Sequence, residues 1–167
     1  VCSSDLIAVE RKNYDLAISV SFLTDKIAMY AIINGDTDGF LHLLPHDNSV
    51  SEGKPMDPRV AKMYTTKTLT RGHVSTVEWL ISQGYVEMTD ELRGSIIQTT
   101  IRYGMFDDFT KHVGLAKPEY MKDWLENLVN VCVIYNRLEM ITYLCENHPY
   151  PNNLLRVLHH EIVDILN

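Results

Sequence analysis

The sequence predicts an all-α fold, a solenoid of stacked helical hairpins. Three observations support this prediction. Four segments of the 167-residue chain repeat one pattern: an apolar stretch, a turn residue, and a second apolar stretch with helical spacing. The four turn residues lie 37, 32 and 32 positions apart. All four are of types that tolerate a left-handed backbone and can end a helix, namely Gly35, Gly72, Gly104 and Asn136.

The residues around each turn are typical of two helices that pack on each other. Three positions before every turn stands an apolar residue, and four positions before it stands a small one that allows close approach. A lone hairpin cannot bury both of its faces, whereas three or more stacked hairpins can. We therefore expect about four repeats, with the residues five positions after each turn in the core: Phe40, Val77, Phe109 and Ile141.

The ends of the chain complete the predicted organisation. Residues 13–23 alternate apolar and small polar side chains, as a strand does, but we favour a helix because the downstream pattern is helical. Residues 152–167 are expected to form a C-terminal capping helix. Residues 1–6 look like translated sequencing-adapter DNA, so we expect them to be an artefact and the true protein to extend further. One domain is predicted over 7–167, with repeats at about 24–60, 61–89, 90–118 and 119–150.

Residues 71–84, Arg-Gly-His-Val-Ser-Thr-Val-Glu-Trp-Leu-Ile-Ser-Gln-Gly, resemble the Gly-His corner and second helix of an ankyrin repeat. Residues 136–147 match the same pattern, and the segments at Gly35 and Gly104 match it in spacing. The family's Thr-Pro-Leu-His opening is absent from all four repeats, as in a divergent branch such as the ankyrin-like proteins of large DNA viruses. The resemblance implies a scaffold or adaptor that binds other proteins.

Two other helical architectures are alternatives to the predicted solenoid. A tetratricopeptide array is disfavoured because Trp79 and Trp124 do not fall at equivalent positions of the repeats. A plain helical bundle remains open.

Composition restricts the class of protein. The chain is 46% hydrophobic and 22% charged, which is ordinary for a globular domain, and no apolar run is long enough to span a membrane. Its net charge of −7 disfavours nucleic-acid partners. Three irregularly spaced cysteines fit neither a disulfide scaffold nor a zinc site. We expect an intracellular protein, in the cytoplasm or in a host cell's cytoplasm or nucleus.

Catalytic motifs are missing from the sequence. It has no nucleophile elbow, phosphate-binding glycine loop or HExxH motif. We therefore expect a non-enzymatic protein with no cofactor, metal or small-molecule substrate. One alternative is a helical metal-dependent hydrolase using His159, His160 and Asp164, although a metal needs three or four convergent ligands and no third is in register. The other alternative is an RNA-binding α-solenoid, which the negative charge disfavours.

A proline- and glycine-rich loop from Pro45 to Val60 accounts for the longer first spacing. It is either a tolerated insertion or a functional projection from the surface. Residues 54–71 then carry five cationic side chains and one aspartate, so we expect a protein partner with an acidic surface. The contact residues are expected on loops and on the open helix face: His46, Lys54, Met56, Arg59, Lys62, Tyr85, Glu87, Met88, Arg102, Tyr103 and Tyr135.

Overall fold

A computed structural model describes residues 11–20, 27–46, 50 and 54–148 of the chain. Within those ranges every regular element is a helix, which confirms the all-α prediction. Residues 14–20 are helical, as favoured over a strand. Residues 1–6 and the predicted capping helix at 152–167 lie outside the described residues.

The described helices form consecutive pairs, each joined by a short turn. The pairs are α2 with α3, α4 with α5, α6 with α7, and α8 with α9. The bounds are α1 Tyr14–Val20, α2 Ile27–Ile33, α3 Thr37–Leu43, a 3₁₀ turn Leu44–His46, α4 Pro58–Thr70, α5 Val74–Ser82, α6 Asp90–Tyr103, α7 Phe106–Gly114, α8 Pro118–Ile134 and α9 Leu138–Asn147.

The four predicted turn residues are all left-handed, which confirms the turn positions. Their φ values are 77° at Gly35, 82° at Gly72, 71° at Gly104 and 52° at Asn136. At each turn the backbone N–H of the next residue returns to the carbonyl of the small residue four positions before the turn. This bond closes the end of the helix in the manner of a Schellman motif. The accepting carbonyls belong to Ala31, Thr68, Thr100 and Cys132.

Gly72→Val is expected to lower the free energy of unfolding by at least ~1 kcal/mol, because a β-branched side chain is strained at positive φ. The matched control is Gly114→Val. Gly114 ends α7, is not among the positive-φ glycines, and has open space where a Cβ would lie. Thermal melting compares the two variants. Equal melting temperatures would contradict the strain assigned to Gly72.

The chain divides into two compact units, which meet in sequence between Ser95 and Ile96. Unit 1 runs up to Ser95 and unit 2 begins at Ile96. In unit 1 the Phe40 ring lies at the centre of the core and meets three rings edge-on. The centroid distances are 6.3 Å to Tyr64, 5.9 Å to Trp79 and 5.5 Å to Tyr85. These rings belong to the next hairpin along the chain or to the segment directly after it, so the first two hairpins pack on each other.

Unit 2 has its own core around Phe109. Its ring lies 6.5 Å from that of Phe106 and 5.9 Å from that of Tyr143 on α9. Phe109 and Ile141 of this unit are buried, as predicted, and so is Val77 of unit 1.

In each unit the later hairpin also covers the turn of the earlier one. In unit 1 the His73 ring lies over Gly35, so close that a Cβ at Gly35 would be 3.0 Å from the ring Nδ1. Arg71 donates to the Asn34 side chain beside it. In unit 2 the Arg137 guanidinium lies over Gly104 and donates to two carbonyls of α6, those of Ile101 at 2.8 Å and Arg102 at 2.9 Å.

Candidate functional site

The candidate site is a groove in unit 1, with a volume of about 560 Å³. It lies between α4, the segment 85–89 and the first turns of α6. This volume is within the range of ligand-binding clefts. Its apolar lining consists mainly of Met56, Ala61, Leu69, Tyr85, Val86 and Leu92.

A helix cap, a glycine turn and one long-range backbone hydrogen bond position the segments that line this groove. Asp57 caps α4 by accepting a bond from the Arg59 N–H at 2.9 Å, and Pro58 occupies the first turn of the helix. The left-handed Gly84 (φ 74°) ends α5 and turns the chain into Tyr85. The Met56 N–H then donates to the Tyr85 carbonyl at 2.9 Å, which ties the segment before α4 to the segment after α5.

Several polar groups of the lining are already engaged within the protein. The Thr65 hydroxyl donates to the Ala61 carbonyl at 2.8 Å, and the Ser95 hydroxyl donates to the Glu91 carbonyl at 3.0 Å. Thr89 accepts from the Leu92 N–H at 3.1 Å. The polar character of the groove therefore comes chiefly from the charged side chains at its rim.

Three charged side chains line the rim: Lys62, Glu87 and Glu91. Lys62 Nζ lies 3.0 Å from Glu91 Oε1, an exposed ion pair between α4 and α6. Such an exposed pair adds little stability, about 0–1 kcal/mol. A binding partner can therefore rearrange it at small cost.

Four of the eleven predicted contact residues line this groove: Met56, Lys62, Tyr85 and Glu87. Met56 and Tyr85 lie outside the helices, as expected, but their side chains are buried, only 7% and 4% exposed. Both belong to the core cluster of unit 1. Burial of a large apolar side chain is favourable by about 1.5–3 kcal/mol, which outweighs the tendency of loop residues to stay at the surface.

Burial of apolar side chains also changes the expected shape of the 45–60 loop. Two of its residues, Val50 and Met56, pack into the core of unit 1, so the loop does not project from the surface at these positions. The rest of the predicted contact set in unit 1 lies outside the lining of the groove. His46, Lys54 and Arg59 are exposed, and Met88 is half-buried.

The remaining three predicted contact residues are exposed and lie near the two turns of unit 2. The Arg102 guanidinium lies 5.9 Å from the centroid of the Tyr135 ring, in cation–π geometry. Tyr103 follows Arg102 at the end of α6. Ile134 and Leu138, 75% and 51% exposed, flank the second turn. Neither is in the predicted contact set, although each is an apolar residue outside the repeated core positions.

A second cavity in unit 1, of about 340 Å³, surrounds Asp36. Its carboxylate caps α3 by accepting from the Gly39 N–H at 3.0 Å, accepts from the Tyr14 hydroxyl, and lies 4.0 Å from Lys12 Nζ. Burial, together with the hydrogen bond to Asp36, raises the pKa of Tyr14. Because Asp36 is fully engaged by these structural contacts, this cavity is the weaker candidate.

The described part of the chain contains two cysteines, Cys132 and Cys145, neither of which is in a disulfide. Burial raises the pKa of Cys132 to about 12 and also raises the pKa of Cys145, so both thiols stay protonated at neutral pH and are poor nucleophiles. No group of three or more potential metal ligands occurs among residues 11–20, 27–46, 50 and 54–148. His159, His160 and Asp164 lie outside those ranges, so the hydrolase alternative stays a prediction.

No helix in the part of the chain that the structure describes is long and apolar enough to cross a membrane. Comparisons with protein-family models, with curated proteins and with solved structures find no match to this chain. The resemblance to ankyrin repeats therefore rests on the residues of the sequence itself.

Proposed function

We propose that this chain is a non-enzymatic module for binding other proteins inside the cell, built as an ankyrin-like solenoid. The observation that carries the proposal is the groove of unit 1. Its apolar lining residues, Met56, Ala61, Leu69, Tyr85, Val86 and Leu92, form a floor, and charged side chains lie at the rim. This is the composition of sites that anchor an apolar side chain of a partner.

The turns support the ankyrin-like part of the proposal. Left-handed residues recur at the spacing of an α-hairpin repeat, and each closes its helix with the same hydrogen bond. The stacking of turn on turn within each unit is the arrangement by which a repeat protein buries faces that one hairpin leaves exposed.

The chemistry of the groove favours binding over catalysis. Catalysis requires a nucleophile, base or acid with a pKa adjusted to its task and held within reach of the reacting atom. The groove instead offers aliphatic and aromatic surface beside an exposed ion pair.

Blocking the groove is expected to weaken peptide binding. Thr66 lines the groove from an exposed position on α4, so Thr66→Trp fills the groove without disturbing the core. The probe is a random peptide library selected on the whole protein, followed by affinity measurement on one enriched peptide. We expect the affinity to fall by at least about tenfold, since each 1.4 kcal/mol of lost contact is a factor of ten.

Ser75→Trp is the control, because Ser75 is exposed on a different helix, α5, and does not line the groove. It should bind the enriched peptide as the unchanged protein does. A library that yields no enriched peptide, or a peptide that binds Thr66→Trp and Ser75→Trp equally, contradicts the proposed function.

A further inference from the structure

We infer that the groove takes a peptide segment in which a large apolar side chain lies next to a basic one, and that the basic side chain binds the carboxylates of Glu87 and Glu91. This inference rests on the proposed function and specifies the chemistry of the partner.

The charge available at the rim is negative. Lys62 is already paired with Glu91 at 3.0 Å. Glu87 is exposed and forms no ion pair with any residue of the described ranges. A carboxylate has about four acceptor sites on its two oxygens, so Glu91 can accept from a partner while it keeps Lys62. An incoming cation therefore finds two carboxylates and one ammonium group.

The cationic side chains on which the prediction of an acidic partner depends do not make the groove positive. Arg71 is bonded to Asn34, and Lys62 is paired across the groove. Lys54 and Arg59 are exposed, but neither lines the groove. An acidic segment seated in the groove would face Glu87 and Glu91 with like charge, which opposes binding. The net charge of −7 adds a long-range attraction for basic segments.

The apolar and acidic parts of the groove lie side by side in the chain. Glu87 directly follows Tyr85 and Val86, which belong to the apolar lining. Consecutive Cα atoms are about 3.8 Å apart, so the carboxylate-bearing residue is at most about 8 Å of backbone from the floor. A partner that places an apolar side chain on this floor reaches Glu87 with a basic residue one or two positions away. Arginine suits the site best, because its guanidinium binds a carboxylate through two parallel bonds.

The floor itself selects for the apolar side chain. Thr65, Thr89 and Ser95 already form hydrogen bonds within the protein. A polar side chain of the partner would therefore lose hydrogen bonds to water and gain few from the groove. Burial of apolar area is then the main source of affinity, and the carboxylates determine which apolar segments are selected.

The test uses the random peptide library on the whole protein and on Glu87→Gln. We expect peptides enriched on the unchanged protein to carry Arg or Lys within two positions of a large apolar residue. On Glu87→Gln the apolar residue should persist while the preference for the basic residue weakens. One enriched peptide, measured by fluorescence anisotropy, should bind Glu87→Gln about twofold to fivefold more weakly. This difference should shrink at high salt, which screens exposed charges.

Glu126→Gln is the matched control. Glu126 is an exposed carboxylate on α8 that does not line the groove, and its loss should leave binding unchanged. Enrichment of acidic peptides, or of apolar peptides without basic residues, would overturn the inference. If such peptides still fail to bind Thr66→Trp, the proposed function survives that result. Equal binding to the unchanged protein and to Glu87→Gln would also overturn the inference.

Discussion

Phe109→Ala is expected to destabilise unit 2 by about 3–5 kcal/mol, the usual cost of removing a buried phenylalanine ring. Phe109 is fully buried, and its ring contacts Phe106 on its own helix and Tyr143 on α9. The cavity therefore opens between two hairpins, and both lose packing area. Because whole domains are stable by only about 5–15 kcal/mol, this loss brings unit 2 close to unfolding.

Unit 2 can be measured on its own because each unit contains one of the two tryptophans, Trp79 in unit 1 and Trp124 in unit 2. In a Trp79→Phe background, fluorescence during urea unfolding reports on Trp124. Leu115→Ala is the control, because Leu115 is an exposed residue of the same unit and its truncation should change stability by less than about 0.5 kcal/mol. Similar midpoints for the two variants would show that Phe109 is not a core residue.

Phe40→Ala is expected to cost unit 1 about 3–5 kcal/mol, toward the upper end of that range. The ring of Phe40 is fully buried and meets Tyr64, Trp79 and Tyr85 edge-on. Edge-to-face aromatic pairs contribute about 0.5–1.5 kcal/mol beyond the area they bury. Since Tyr85 also lines the groove, the variant should weaken peptide binding as well as stability.

The matched control for Phe40 is its neighbour. Leu41→Ala removes an exposed side chain from the next position of α3 and should leave both stability and binding nearly unchanged. Urea unfolding in a Trp124→Phe background, followed by Trp79 fluorescence, measures unit 1. A loss in Phe40→Ala no larger than in Leu41→Ala would refute the central position of the Phe40 ring.

The turns and the cores were predictable because both depend on local rules. A left-handed turn needs glycine or asparagine, and a buried helix face needs apolar residues at helical spacing, so Gly72, Asn136 and Phe109 could be placed without a structure. The residue four positions before each turn is fully buried in all four cases, which explains why it is small: a larger side chain there would hinder close approach of the helices.

The groove could not be predicted in the same way. Its walls come from three separate segments, and one sequence does not show that the Met56 N–H meets the Tyr85 carbonyl or that Lys62 pairs with Glu91, 29 residues away. Their position outside the helices makes Met56 and Tyr85 candidate contact residues in the sequence. Their burial depends on the core that other parts of unit 1 provide.

The contacts between turns link residues that are synthesised at different times. Arg71 bonds to a residue 37 positions earlier in the chain, and Arg137 bonds to residues 36 and 35 positions earlier, so the covering side chain always belongs to the later hairpin. During synthesis on the ribosome, the earlier turn in each unit must therefore wait for roughly one more hairpin to be translated before it is closed over. Translation therefore makes the covering of the Gly35 turn possible before that of the Gly104 turn.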